Sequence, residues 1–327
     1  MRTLIRRYLS STTRDDPFSQ FGPVLKPSVY NRTRPSGKHD HLSEFGPIKT
    51  KKSAKKVELE NKEELEKIKE TFIKSPTHVT VPDISIPMIN DSRPLSALPQ
   101  GDARSPVLRL PFTRSNDSPS VSRVLAATMS EQSRATLARW EAEKIALLGS
   151  DGFKKYKAEL FSRGKTLHSI LENFLETREL PRPSDLDDEV SKRHLVSVSR
   201  IVRSVERPLA LESAVTHPAL GYSGIVDCVA VLGNTVTLID WKTSEKVKNS
   251  AAALYDNPLQ VAAYVGAINS DPAYESLGTI THGAVVVIYN TGYPAMLHTF
   301  DQNQLAKYWE LWCDRLKMYK QFHNTQK

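Results

Sequence analysis

The chain has 327 residues, with 45 Lys+Arg against 37 Asp+Glu and a formal net charge of +8. Its two cysteines, Cys228 and Cys313, exclude a disulfide framework and a cysteine-based zinc site. Before residue 119 the chain carries 21 of the basic and 14 of the acidic residues, so the excess charge belongs to a basic solvated segment and does not mark a nucleic-acid surface on the rest.

The first fourteen residues hold four Arg, several Ser and Thr and no acid, with Leu4, Ile5, Tyr8 and Leu9 on one helical face. That is the pattern of a mitochondrial transit peptide, with the matrix as destination. The apolar runs are too short to span a membrane. Residues 15–118 are rich in Pro, Ser and Arg and read as mostly disordered, except for a charged stretch at 51–69 that could form a solvated helix. Order is expected from Pro119 onward. This divides the chain into a leader and basic segment, 1–118, and one α/β domain, 119–327.

Within that domain the periodicity predicts helices over 121–129, 131–148, 153–176 and 189–205. Strands follow over 209–216, 222–232 and 235–241. Asn257-Pro258 opens a helix to about 268, with Asn257 as N-cap and Pro in the first turn. A hairpin over 279–289 and 294–300 turns at Asn290-Thr-Gly292, and an aromatic amphipathic helix closes the chain over 302–322. Trp309 and Trp312 in that helix read as core residues.

The most specific local signal is Ile225-Val-Asp227 through Asp240-Trp-Lys242, centred on Gly233-Asn234. Gly-Asn between two β-branched runs marks a tight hairpin. Pairing Leu232 with Thr235 sets Asp227 opposite Asp240, with Cβ atoms about 5 Å apart. Lys242 lies two residues on, along the same face. Val229, Val231, Val236 and Leu238 share that face, and Val226, Ala230, Ile239 and Trp241 lie on the other. A sheet covered on both sides is implied. Two facing carboxylates repel, and a divalent cation such as Mg²⁺ removes the conflict.

This constellation resembles the PD-(D/E)XK nucleases of the RecB type. The matching residues are Gly224-Ile-Val-Asp227, Asp240-Trp-Lys242, a helical His in Arg163-Gly-Lys-Thr-Leu-His168, and Gln260-Val-Ala-Ala-Tyr264. Further segments, among them Pro119-Ser-Val-Ser-Arg123 and Asp256-Asn-Pro-Leu-Gln260, resemble a mitochondrial DNA-exonuclease branch of that family. The resemblance implies a restriction-endonuclease-like core, a central mixed sheet flanked by helices. It also implies a metal-dependent exonuclease that degrades single-stranded DNA from free ends and trims flaps in mitochondrial DNA replication and turnover. Mg²⁺ is the implied metal, with Mn²⁺ as a substitute. The implied partners are single-stranded DNA, flaps and mitochondrial replication proteins, with no membrane and a monomeric state.

On this reading Asp227, Asp240, His168 and the main-chain carbonyl of Trp241 hold the metal. Lys242 orients the attacking water and stabilises charge, and Gln260 acts on catalysis or DNA orientation. Gln260 also has a plain structural explanation, since it would complete a capping box with Asn257. Glu212 is a weaker candidate for the same cluster. DNA contacts are expected from Ser120, Ser122 and Arg123 at a helix start, from Arg163 and Lys165 beside His168, and from Tyr264. Lys154, Lys155 and Lys157 are expected to line the same track or to be solvated charges. A non-catalytic single-stranded DNA-binding module is the competing class, and the intact Asp, Asp and Lys argue against it. A retaining glycosidase also uses two close carboxylates, but it would not call for Lys242 or the His and Gln motifs. Two cysteines cannot hold the iron–sulfur cluster of a related nuclease branch.

Overall fold

The computed structural model describes residues 86–89, 92–98, 106–112 and 118–324. The transit-like start and the charged stretch at 51–69 lie outside these residues. Helix α1, Val121–Ala127, begins at Ser120, whose side chain accepts the Arg123 N–H. Helix α2, Glu131–Thr177, is capped the same way by Ser130 and broken at Gly149, which has φ 72° and ψ 168°. The two arms pack on each other beyond that break. Trp140 meets Phe153 edge-on at 5.8 Å, and Lys157 pairs with Glu141 at 3.2 Å. The gap between the two expected helices is therefore a corner within one helical pair. Helix α3, Glu189–Ser204, starts on Asp188, whose carboxylate accepts the Ser191 N–H at 2.7 Å.

The chain then forms β1 (Val205–His217), β2 (Tyr222–Leu232) and β3 (Thr235–Ser244), crosses over through α4 (Asn257–Ser270), and adds β4 (His282–Tyr289) and β5 (Met296–Phe300). Helix α5, Gln302–Asn324, ends the described chain. The sheet runs β1-β2-β3-β4-β5, with β3 and β4 parallel and every other pair antiparallel, so it is mixed as expected. Leu232 pairs with Thr235, the register expected from the Gly-Asn turn.

Helices α4 and α5 cover one face with Val261, Val265, Ile268, Leu305, Trp309 and Trp312 against Val229, Leu238, Val285 and Val287. Gly266 admits the Trp309 ring, since a Cβ there would fall 2.2 Å from Cζ3. The second arm of α2 and α3 cover the other face, with Leu167, Leu171, Phe174 and Val198 against Cys228, Ile239, Trp241 and Val286.

The β1–β2 pairing shifts register between Val205 and Ala210, and its alternation slips again further along. Leu211 and Cys228 join the α2–α3 side, as period two requires of Ala230 as well. Val226, two residues from Cys228, instead packs on the α4–α5 side, opposite to the face expected for it. Glu212 lies at the slip with φ 41°, a conformation uncommon for a side chain of its kind. The paired strands thus exchange faces at Glu212 and Asp227, which places both carboxylates at the break between the two layers.

Three stretches before the expected start of order pack on this domain. Leu108 bridges Ala210 and Leu110 O accepts the Ala214 N–H, which covers part of the free edge of β1. Met88 is buried, its carbonyl accepts from Asn269 Nδ2, and Trp309 Nε1 donates to Ile86 O. Arg93 donates to the carbonyls of Ile268 and Asp271 at the end of α4. Among the described residues no helix is long and apolar enough to cross a membrane.

Candidate active site

The β2–β3 ladder ends at Cys228–Ile239, one pair short of the aspartates. Beyond it, Oδ2 of Asp227 accepts the backbone N–H of Trp241 at 2.9 Å. Asp227 and Asp240 therefore sit across a parting of the strands and not on a continuous ladder. The carboxylate replaces the carbonyl that the ladder would have supplied. The Trp241 ring is buried on the α2–α3 side.

Lys242 Nζ lies 2.8 Å from Oδ1 and 2.7 Å from Oδ2 of Asp240. Asp240 is 1% exposed. Burial pushes its carboxyl up to about 6, with the Asp227 charge acting in the same sense and Lys242 opposing both. Burial alone would favour a neutral lysine, but the charges of Asp240 and Asp227 outweigh it and hold Lys242 above its ordinary value. At neutral pH the pair is ionic. Oδ2 of Asp240 remains a buried acceptor with no hydrogen-bond donor in proper geometry.

Helix α2 brings His168 to the same place. Its Nδ1 lies 3.3 Å from Glu212 Oε1 and 3.7 Å from Asp227 Oδ1. Burial would lower the imidazole pKa, but the hydrogen bond to Glu212 and the Asp227 charge reverse this and raise it. Asp227 is itself raised, chiefly by burial. His168, Glu212 and Asp227 each offer a ligand atom within 4.8 Å of the others. The donor set suits a divalent cation: two carboxylate oxygens and an imidazole. Glu212 thus belongs to the cluster on the same footing as Asp227. Its strand position directly beside Asp227 was the available signal, obscured by the slip in alternation.

The Gln260 motif has a different basis from capping. Helix α4 starts one residue early, with Asp256 at the N-cap and no side-chain cap bond. The Asp256 carboxylate is instead held by Arg315 of α5, at 2.9 Å through Nη2 and 3.3 Å through Nη1. Arg315 also donates to Thr128 Oγ1 and to Leu125 O, tying α1 to the head of α4. Gln260, free of a capping box, donates through Nε2 to the Tyr264 hydroxyl at 3.2 Å. Tyr264 is buried over Gly224, where a Cβ would fall 2.5 Å from its Cε1 atom. Burial, with the charges of Asp240 and Asp227 adding to it, keeps the phenol protonated. Gly224, Gln260 and Tyr264 thus form one packed unit beside the carboxylates.

The expected DNA-contacting residues divide. Ser120 caps α1, lies 3.2 Å from Ser122 Oγ and bridges Ser223, next to Gly224. Arg123 is exposed on the same helix. Lys165 is exposed one turn before His168. Arg163 is already engaged, 3.1 Å from Asp188 and 3.4 Å from Glu159. Lys154 pairs with Asp151 and Lys157 with Glu141. Glu245, three residues past Lys242, was not singled out in the sequence. It accepts from Tyr156 and Lys144, one on each arm of α2, and so fastens that helical pair to the strand carrying the site.

The family model described as "PD-(D/E)XK nuclease superfamily" matches residues 125–318. Mitochondrial genome maintenance exonuclease 1 of Homo sapiens is 40% identical over 250 residues, which cover 76% of this chain and 71% of that protein. The protein of the same name from Mus musculus is 39% identical over 239 residues, covering 73% and 69%. That from Xenopus tropicalis is 42% identical over 202 residues, covering 62% and 57%. The mixed sheet flanked by helices, the buried Asp240 with Lys242 and Asp227 beside it, and this match over most of the folded chain agree: the chain belongs to the PD-(D/E)XK nuclease superfamily.

Proposed function

We propose that this chain is a metal-dependent exonuclease of the mitochondrial matrix that degrades single-stranded DNA from free ends. On this reading it trims flaps during replication and turnover of mitochondrial DNA, acts as a monomer and works beside replication proteins. The observation that carries the reading is the ion pair of buried Asp240 with Lys242 beside Asp227, Glu212 and His168. A structural role alone gives no reason to gather three carboxylates, one of them fully buried, around one lysine and one histidine. The names of the relatives supply the mitochondrial context.

Asp227, Asp240, Glu212 and His168, with the carbonyl of Trp241, would hold Mg²⁺ or Mn²⁺. Such an ion neutralises charge on the phosphate and lowers the pKa of bound water. The chain's own residues supply position. Asp240 keeps the Lys242 ammonium fixed, so that it can hold the attacking water against the phosphorus and stabilise developing negative charge. Tyr264 holds Gln260 at the head of α4, where its amide can orient a phosphate oxygen or the water. Ser120, Ser122, Arg123 and Lys165 would contact the DNA backbone; Arg163 would do so only by leaving Asp188.

End-labelled linear single-stranded DNA should be degraded with Mg²⁺ and spared in EDTA, and a covalently closed circle should resist. Lys242→Ala should abolish cleavage while leaving oligonucleotide binding nearly intact. Cleavage by Lys242→Ala within about tenfold of the parent, roughly 1.4 kcal/mol of barrier, would remove Lys242 from the chemistry.

A further inference from the structure

The connection from β3 to α4 leaves the carboxyl end of the parallel pair β3–β4, the edge of an open α/β sheet where ligands bind. It spans residues 245–256, starting three residues after Lys242 and ending four residues before Gln260, so site residues flank both of its ends. In its last turn Tyr255 has φ 54° and ψ −125°. Glycine takes up that conformation readily and a side chain does not. The strain is not repaid by core packing, because Tyr255 is 56% exposed. Its neighbours hold it there: Leu254 is buried at 1%, and Asp256 is clamped by Arg315.

Lys248 Nζ lies 4.3 Å from the centre of the Tyr255 ring. The backbone of Lys248 is also pinned. Its N–H donates to the Tyr289 hydroxyl at 3.1 Å, and its carbonyl lies 3.0 Å from His298 Nε2. An exposed aromatic ring on a constrained backbone, with an ammonium beside it, is the pairing that binds a nucleotide in a single strand: the ring stacks on a base and the cation meets a phosphate.

Given the DNA-cleaving reading above, we propose that Tyr255 and Lys248 form a nucleotide-binding subsite on the rim of the active site. One base of single-stranded DNA stacks on the open face of the Tyr255 ring, and Lys248 pairs with the adjoining phosphate. Bases in a duplex do not present that face, so the subsite contributes to strand preference.

The test separates backbone strain from recognition. Fluorescence anisotropy in EDTA measures binding of a labelled oligothymidylate and of an abasic strand of equal length. Tyr255→Gly should raise the thermal midpoint, because it relieves the strain, yet bind oligothymidylate at least about fivefold more weakly. Tyr255→Trp should stay within about twofold of the parent, since a ring is retained. The parent should prefer oligothymidylate to the abasic strand, and Tyr255→Gly should lose that preference. Lys248→Ala should reduce the slope of log affinity against log salt by about one. Equal binding of both strands by parent and Tyr255→Gly overturns the subsite while leaving the nuclease reading intact. A parent that binds neither strand and cuts no DNA overturns both.

Discussion

Oδ2 of Asp227 accepts the backbone N–H of Trp241 at 2.9 Å, one step beyond the last rung between β2 and β3. The same carboxylate presents Oδ1 to His168 at 3.7 Å. Asp227 thus joins the strands with one oxygen and faces the site with the other. Asp227→Asn can keep the first bond and lose the charge. In EDTA it should be slightly more stable than the parent, on the order of 0.2–1 kcal/mol, because a charge that burial disfavours is removed and repulsion from the neighbouring carboxylates falls with it. Asp227→Ala strands the Trp241 N–H and should cost about 1–3 kcal/mol. Both should lose most of the thermal stabilisation that Mn²⁺ gives the parent. Equal Mn²⁺ shifts in parent and Asp227→Asn would exclude Asp227 as a ligand.

Glu212 raises the His168 pKa through a hydrogen bond and through its charge. Removing that charge leaves burial to dominate. In EDTA, an NMR titration of Glu212→Gln should therefore show a lower His168 pKa than in the parent. The same variant should show a weaker Mn²⁺-dependent thermal shift. An unchanged titration would mean that the carboxylate does not act on the imidazole.

The Tyr264 ring occupies the space that a Cβ at residue 224 would need, at 2.5 Å. Gly224→Ala must displace the ring, and Gln260 with it. Overpacking of this kind costs about 1–3 kcal/mol. Cleavage should fall further than a stability loss explains, while metal-dependent stabilisation persists, since the added Cβ meets the Tyr264 ring first. A variant with normal cleavage would separate the Gln260–Tyr264 pair from the reaction.

The hairpin that carries Asp227, Asp240 and Lys242 was legible because its turn and its period-two pattern point to the same register. The helices were legible from their apolar spacing, down to the break at Gly149. Glu212 was less legible because its strand abandons that period: a non-glycine at φ 41° exchanges the faces of the pair. The head of α4 lies one residue from its expected place for a long-range reason. Asp256 is taken by Arg315, 59 residues later, and no local pattern reports such a partner. The stretches at 86–89, 92–98 and 106–112 dock through backbone hydrogen bonds to β1 and Thr279, side-chain bonds to the carbonyls of α4 and from Trp309 of α5, and a few scattered apolar contacts, and apolar periodicity does not reveal that mode of packing.

His217 provides a test of the core remote from the carboxylates. It is 1% exposed, its ring stacks on Trp309 at 5.8 Å, and its Nδ1 accepts the Leu220 N–H at 3.2 Å. Nε2 lies 3.1 Å from Ser270 Oγ, so the neutral tautomer with a proton on Nε2 satisfies both bonds. Burial pushes its pKa down to about 4. Between pH 6.5 and 4 the unfolded chain therefore binds the proton and the folded chain does not, and stability falls as the pH falls. The loss from this one residue should be about 2 kcal/mol at pH 5. His194, lowered to about 4 by burial, acts in the same sense. Asp240, raised to about 6, acts in the opposite one, because the folded chain takes up its proton first. The overall pH slope thus mixes several groups, and the difference between parent and His217→Gln isolates one. Urea unfolding of both proteins at pH 7 and pH 5 should show the variant losing less stability on acidification. Parallel losses would mean that His217 is not held neutral by the fold.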